Sequence, residues 1–170
     1  VLVLDVMEQR LVVADFESQP VGLTASFAQG GVTFVAYPPL DNLYIIDETN
    51  LTTIPQATSH ALTGNGVDDF LLLLPVGTYG LGFDTITNGA APPVVTLYDA
   101  GDSVLTSYTL TQGIYTAGFV GFVSTTPIAK VRWQTEGGES INTAIDNVRI
   151  SESPVAAAGA SFGAVKSLFR

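Results

Sequence analysis

The chain has 170 residues, no Cys, 6 Lys and Arg against 16 Asp and Glu, and a net charge of -10. A domain of this length buries roughly 70% of the surface its unfolded chain exposes, so it can build a core without disulfide or metal staples. The acidic balance excludes nucleic acid and polybasic membrane contacts, which need clustered cations, and no apolar run reaches the roughly 20 residues of a membrane-spanning helix.

In chain order, short runs rich in Val, Thr, Ile, Phe and Tyr are cut by Gly, Pro, Asn and Asp. They predict strands over 2–7, 11–16, 32–37, 43–46, 69–74, 79–87, 94–98, 104–110, 115–123, 129–135 and 141–150. The first run, Val1-Leu2-Val3-Leu4-Asp5-Val6-Met7, has no cationic lead and carries an acid inside its apolar stretch, so it reads as an extra strand and not as a secretion signal. Asp68-Asp69 follows the Gly64-Asn65-Gly66 turn and marks a strand entrance. Neighbours in a strand point to opposite faces, so this pair cannot flank one scissile bond. Leu71 to Leu74 shows no alternation, which fits a strand buried on both faces or one under a long loop.

Farther along, Tyr79, Leu81 and Phe83 alternate with Gly80, Gly82 and Asp84. Asp99-Ala100-Gly101-Asp102-Ser103 and Glu136-Gly137-Gly138-Glu139-Ser140 both read as hairpin connections. Ala129, Val131 and Trp133 alternate with Lys130, Arg132 and Gln134, which sends Trp133 to the core. Ile141, Thr143 and Ile145 share a face that Val148 and Ile150 rejoin only if the strand slips by one residue, so a bulge is expected at Asp146-Asn147. Beyond Ser151 a linker leads to Phe162, Val165, Leu168 and Phe169 at helical spacing, a short terminal helix weakened by Gly163. The expected organisation is a strand extension over 1–10, an all-β antiparallel sandwich over 11–151, and a linker and tail over 152–170.

Chemistry-bearing motifs are sparse. His60 is the single His, and the chain has no Gly-x-Ser-x-Gly elbow, phosphate loop or His-Glu-x-x-His pair, so no enzyme is expected. Asn50-Leu51-Thr52 matches a glycosylation acceptor at the level of chance. Between Arg10 and Lys130 there is no cation, while Asp15, Glu17, Asp41, Asp47, Glu48, Asp68, Asp69, Asp84, Asp99 and Asp102 lie within that stretch. Such self-repelling surfaces are relieved by oxygen-ligated divalent cations, or simply keep a protein in solution.

Three stretches carry a resemblance: Asp15-Phe16-Glu17-Ser18-Gln19-Pro20-Val21-Gly22 with Gly31-Val32-Thr33-Phe34; Gly118 to Ser124 leading through Thr126-Pro127-Ile128 to Val131-Arg132-Trp133; and Ala144-Ile145-Asp146-Asn147-Val148-Arg149-Ile150. Together they resemble the jelly-roll sandwiches of secreted bacterial proteins of the exosortase-sorted (PEP-CTERM) type, related in shape to calcium-containing carbohydrate-binding modules. The sorting signal of that type is absent from these residues. The resemblance implies secretion and a calcium ion held by Glu17 and Asp146, with backbone carbonyls from a loop such as Gln29-Gly30-Gly31 completing its shell.

Two functions follow. The first is an extracellular structural or adhesive subunit that self-associates into an oligomer or filament, with Val1, Leu2, Val3, Leu4 and Val6 as the subunit contact, a strand that either adds to the chain's own sheet or is donated to a neighbour's. The alternative is calcium-assisted polysaccharide binding, with Tyr98, Tyr108 and Tyr115 as candidate platforms.

Overall fold

The computed structural model describes residues 2–3, 7–38, 42–47, 59–66, 68–87, 92–113, 115–135 and 143–154. Among them lie the strands β1 (Leu2–Val3), β2 (Val12–Ala14), β3 (Gly22–Thr24), β4 (Ser26–Gln29), β5 (Val32–Ala36), β6 (Leu43–Ile46) and β7 (Ala61–Gly64). They are followed by β8 (Asp69–Leu73), β9 (Gly80–Thr87), β10 (Val94–Tyr98), β11 (Val104–Thr109), β12 (Thr116–Val123), β13 (Lys130–Gln134) and β14 (Thr143–Ser151). All pair antiparallel in two sheets that form a sandwich, and no α-helix occurs among the described residues. One sheet has eight strands in the order β1-β12-β9-β14-β7-β6-β3, with β2 also on β14; the other has six, in the order β11-β10-β13-β8-β5-β4.

Alternation sets which side chains enter the sandwich. Val131 and Trp133 of β13 are fully buried, as are Phe70 and Leu72 of β8 and Leu81 and Phe83 of β9. Trp133 stacks on Phe70 at 6.1 Å and meets Phe83 edge-on at 5.8 Å, while its indole N–H donates to Thr143 Oγ1 at 2.9 Å across the sheets. Burying such a ring stabilises the fold by roughly 3 kcal/mol, and the satisfied N–H removes the cost of desolvating it. A second knot joins Phe16, Phe27 and Phe34, with centroids 4.8 to 5.9 Å apart.

The predicted slip in the last strand is present. Ile145 and Val148 both reach the core, the ladder between β9 and β14 shifts between Asp146 and Arg149, and Asn147 takes φ +50°. The Asp99 hairpin is also present, with Asp99 Oδ1 accepting the amides of Gly101 and Ser103 at 2.9 Å each. The second hairpin is corrected: β13 pairs with β8 and β10 whereas β14 pairs with β9, β7 and β2, so these consecutive strands lie in different sheets. Strands β3, β4 and β7 were not anticipated. They are short: β3 and β7 pair with strands distant in sequence, whereas β4 joins β5 through the tight Gly30-Gly31 turn, Gln29 opposite Val32.

The N-terminal strand pairs within its own chain, Leu2 opposite Val123 and Val3 opposite Phe122. Next, Met7 lies fully buried against Gly80 and Gly82 of β9, where an added Cβ would come within 2.8 Å of Met7 atoms. Those two glycines form a slot in the outer face of the eight-stranded sheet that Met7 occupies. Val1, Leu4 and Val6, the 136–140 connection, the sequon and the 155–170 tail lie outside the described residues.

Candidate functional site

Functional chemistry concentrates on the two outer faces. On the eight-stranded sheet the bulge turns Asp146 outward beside Asp84 of β9, and Asn147 ties them together: its Nδ2 donates to Asp84 Oδ2 at 2.8 Å and to Asp146 Oδ2 at 3.1 Å. The Asn147 amide donates to Asp146 Oδ1 at 2.6 Å, and Ser59 Oγ donates to Asp146 Oδ2 at 2.7 Å. Arg149 Nη1 reaches Asp84 Oδ1 at 3.0 Å and the Asn147 carbonyl at 2.6 Å, with its guanidinium 5.3 Å from the centre of the Phe119 ring. Burial pushes the Asp146 carboxyl up to about 6; the hydrogen bonds from Ser59 and Asn147 oppose that rise, and the nearby charges of Asp84 and Glu17 add to it.

Glu17 is brought into the same neighbourhood. Phe16 turns at φ +61°, so its side chain enters the core while Glu17 faces His60, whose amide donates to Glu17 Oε1 at 2.9 Å. His60 Nδ1 lies 3.2 Å from the Phe16 carbonyl, so the Ser59-His60 pair bridges the two predicted calcium residues. Gln29 braces the turn, accepting from the Phe16 amide at 3.3 Å and donating to Asp15 Oδ1 at 2.8 Å. Gly30, at φ +57°, packs on β2, where a Cβ would sit 2.0 Å from the Val13 carbonyl oxygen. Among the described residues no three His, Cys, Asp or Glu side chains gather as a metal cluster.

Beside the bulge runs a groove of about 410 Å³ whose walls include Glu8, Ser59, Asp84, Asp146, Asn147 and Phe119. Below the opposite face, at the end of the sandwich, Asp68 is fully buried and accepts from the Thr143 amide, Thr143 Oγ1 at 2.8 Å and Thr63 Oγ1 at 2.8 Å. Its burial raises that carboxyl to about 7, against the lowering effect of the Thr143 and Thr63 bonds.

The six-stranded sheet presents a row of a different kind. Arg132 grips Asp69 through two bonds, Nε to Oδ1 at 2.8 Å and Nη2 to Oδ2 at 2.6 Å, and lies 3.8 Å over the Tyr37 ring. Those bonds hold the guanidinium above its ordinary value, with desolvation opposing. Two residues away on the same face, Lys130 Nζ sits 4.9 Å from the Tyr98 ring centre and 2.6 Å from Asp102 Oδ1. Of the predicted tyrosines, Tyr98 is on this outer row. Tyr108 packs inward, edge-on to Phe122 at 6.0 Å, and Tyr115 stands exposed at φ +55° just before β12. The sequence missed Tyr37, Asp69 and Arg132 as a unit, because they come from three sequence-distant segments. The usable signal was the polar phase of β13.

No protein-family model and no curated protein matches the chain. Among solved structures, the fold is similar to TmCBM61, a carbohydrate-binding module in complex with β-1,4-galactotriose, at TM-score 0.52 and 16% identity over 82% of this chain and 95% of that one. It is likewise similar to the K2 cleaved adhesin domain of Lys-gingipain, at TM-score 0.51 and 11% identity over 82% of this chain and 98% of that one. These likenesses are of fold.

Proposed function

We propose that the protein is a secreted, non-enzymatic adhesive sandwich that binds a polysaccharide chain along the outer face of its six-stranded sheet. The observation that carries this reading is the preformed row of Tyr37, Arg132, Lys130 and Tyr98. Its half-exposed aromatic rings, each with a cation over one face, give sugar C–H groups apolar surface beside polar donors, and a guanidinium fixed by Asp69 through Nε and Nη2 keeps its Nη1 for a sugar hydroxyl. A fixed donor loses little entropy on binding, which favours affinity. Likeness in fold to a module whose structure holds a galactan fragment supports the same ligand class, as fold analogy only. Retention on a panel of insoluble polysaccharides tests it. Wild type should be retained on at least one, and Tyr98→Ala should lower the affinity about tenfold. Retention of Tyr98→Ala and Arg132→Lys equal to wild type would overturn the reading.

Calcium belongs to the same proposal as a fastener. Glu17 and Asp146 would hold it, and bound there it would neutralise two carboxylates that otherwise repel. Because a ligand of the folded state alone must raise the melting midpoint, excess calcium should raise it and chelator should lower it. Superimposable melting curves would remove calcium from the proposal.

A further inference from the structure

The groove on the eight-stranded sheet lies on the opposite side of the sandwich from the row just described, and its chemistry selects a different kind of contact. It exists because β12 carries Ala117 and Gly118 at its floor while the β14 bulge lifts Asp146 and Asn147 beside it. One wall is the half-buried Phe119 ring. The remaining polar wall is acceptor-rich, because the side-chain donors of Ser59 and Asn147 are spent within the protein, and Arg149, whose buried Nε has no partner, lies behind that wall and not in its lining. Both Asn147 Nδ2 hydrogens go to Asp84 and Asp146, the Ser59 hydroxyl goes to Asp146, and Arg149 Nη1 goes to Asp84 and the Asn147 carbonyl. Asp146 Oδ2 already accepts twice, but Asp146 Oδ1 and both Asp84 oxygens each have capacity for a further donor, and Asn147 Oδ1 is an acceptor only. A ligand for this groove must therefore bring hydroxyl donors and an apolar face, and must not bring negative charge.

We infer that the groove is a second sugar site, taking the neutral terminal pyranose of a glycan against Phe119, with its hydroxyls donating to Asp84, Asp146 and Asn147 Oδ1. A volume of about 410 Å³ falls within the roughly 300–1,000 Å³ of small-ligand sites. This inference rests on the polysaccharide reading and extends it. With a chain-binding row on one sheet and an end-binding groove on the other, one domain joins two glycan strands. Such bivalency gives a matrix-forming role without any protein–protein polymer.

The test uses the whole chain. Two-dimensional NMR with neutral monosaccharides (galactose, glucose, mannose), with their uronic acids and with glucosamine would report which face each one touches. Neutral sugars should shift Phe119, Asn147 and Ala117 resonances, and uronic acids should not. Ala117→Trp fills the groove without removing a hydrogen bond and should weaken that binding at least tenfold. Phe119→Ala should do the same, provided its melting curve matches wild type. Neither variant should alter retention on insoluble polysaccharide, whereas each should abolish agglutination of polysaccharide-coated beads. Unchanged monosaccharide binding by Ala117→Trp would overturn the inference, as would groove shifts caused only by glucosamine, by uronic acids or by calcium alone. If Tyr98→Ala loses retention while the groove still binds monosaccharides, only the row is affected. Loss of groove binding with retention intact removes the second site and leaves the first.

Discussion

The two outer faces differ in how far their carboxylates are balanced by cations. On the six-stranded sheet every described cation has a carboxylate and a ring: Arg132 with Asp69 and Tyr37, Lys130 with Asp102 and Tyr98. On the eight-stranded sheet Arg149 likewise has a carboxylate and a ring, Asp84 and Phe119, but Asp146 and Glu17 add carboxylates beside it, and the Asp146 carboxyl, raised first by its burial, is raised further by those charges. One face is balanced and regular, the other acidic and bulged. A regular ladder holds side chains in a flat row suited to an extended chain, whereas a bulge makes the concavity that an end group needs.

The largest break in this contrast should come from Gly30→Ala. The new Cβ would stand 2.0 Å from the Val13 carbonyl in a left-handed backbone, so the loop bracing Glu17 must leave β2. A loss of at least about 4 kcal/mol is expected in denaturant melts, with the Tyr37 row unaffected in any protein that still folds.

Next in size is the pH response. The folded states of Asp68 and Asp146 have raised carboxyls, about 7 and about 6 against an ordinary 3.8, so folding favours their protonated forms. Their contribution is fully present below about pH 4 and is lost as pH rises through 6 and 7. Stability measured from pH 5 to pH 8 should fall by roughly 2–4 kcal/mol. Asp68→Asn should flatten most of that slope; an unchanged slope in this variant would assign it elsewhere.

On the balanced face, Arg132→Ala leaves the mostly buried Asp69 without its partner and should cost about 2 kcal/mol, with Arg132→Lys recovering only part because an ammonium cannot make both bonds. Smallest is Lys130→Ala. Its partner Asp102 is 77% exposed, so thermal melts should move by no more than about 0.5 kcal/mol.

Much of the frame was legible because it rests on local rules. The phase of Val131 and Trp133 places the indole inside, and the mismatch between Ile145 and Val148 locates the bulge. What failed was long-range information. The Gly137-Gly138 stretch has hairpin chemistry, yet β13 and β14 belong to different sheets, and alternation cannot say which sheet a strand joins. Ser59 and His60 gave no signal, since a polar dipeptide acquires its role from Asp146 and Glu17, which other strands deliver. Tyr98 and Tyr108 look alike in sequence, but register sends one outward and the other against Phe122.

Strand β14, late in the chain, occupies the middle of its sheet, holding β9 on one side and β7 and β2 on the other. Until it is in place, the β12-β9 pair and the β7-β6-β3 set have no common ladder, and each closure spans a long stretch of chain. Residues emerging one after another would therefore supply every strand of the six-stranded sheet first, while the eight-stranded sheet stays in two parts until β14 arrives to join them.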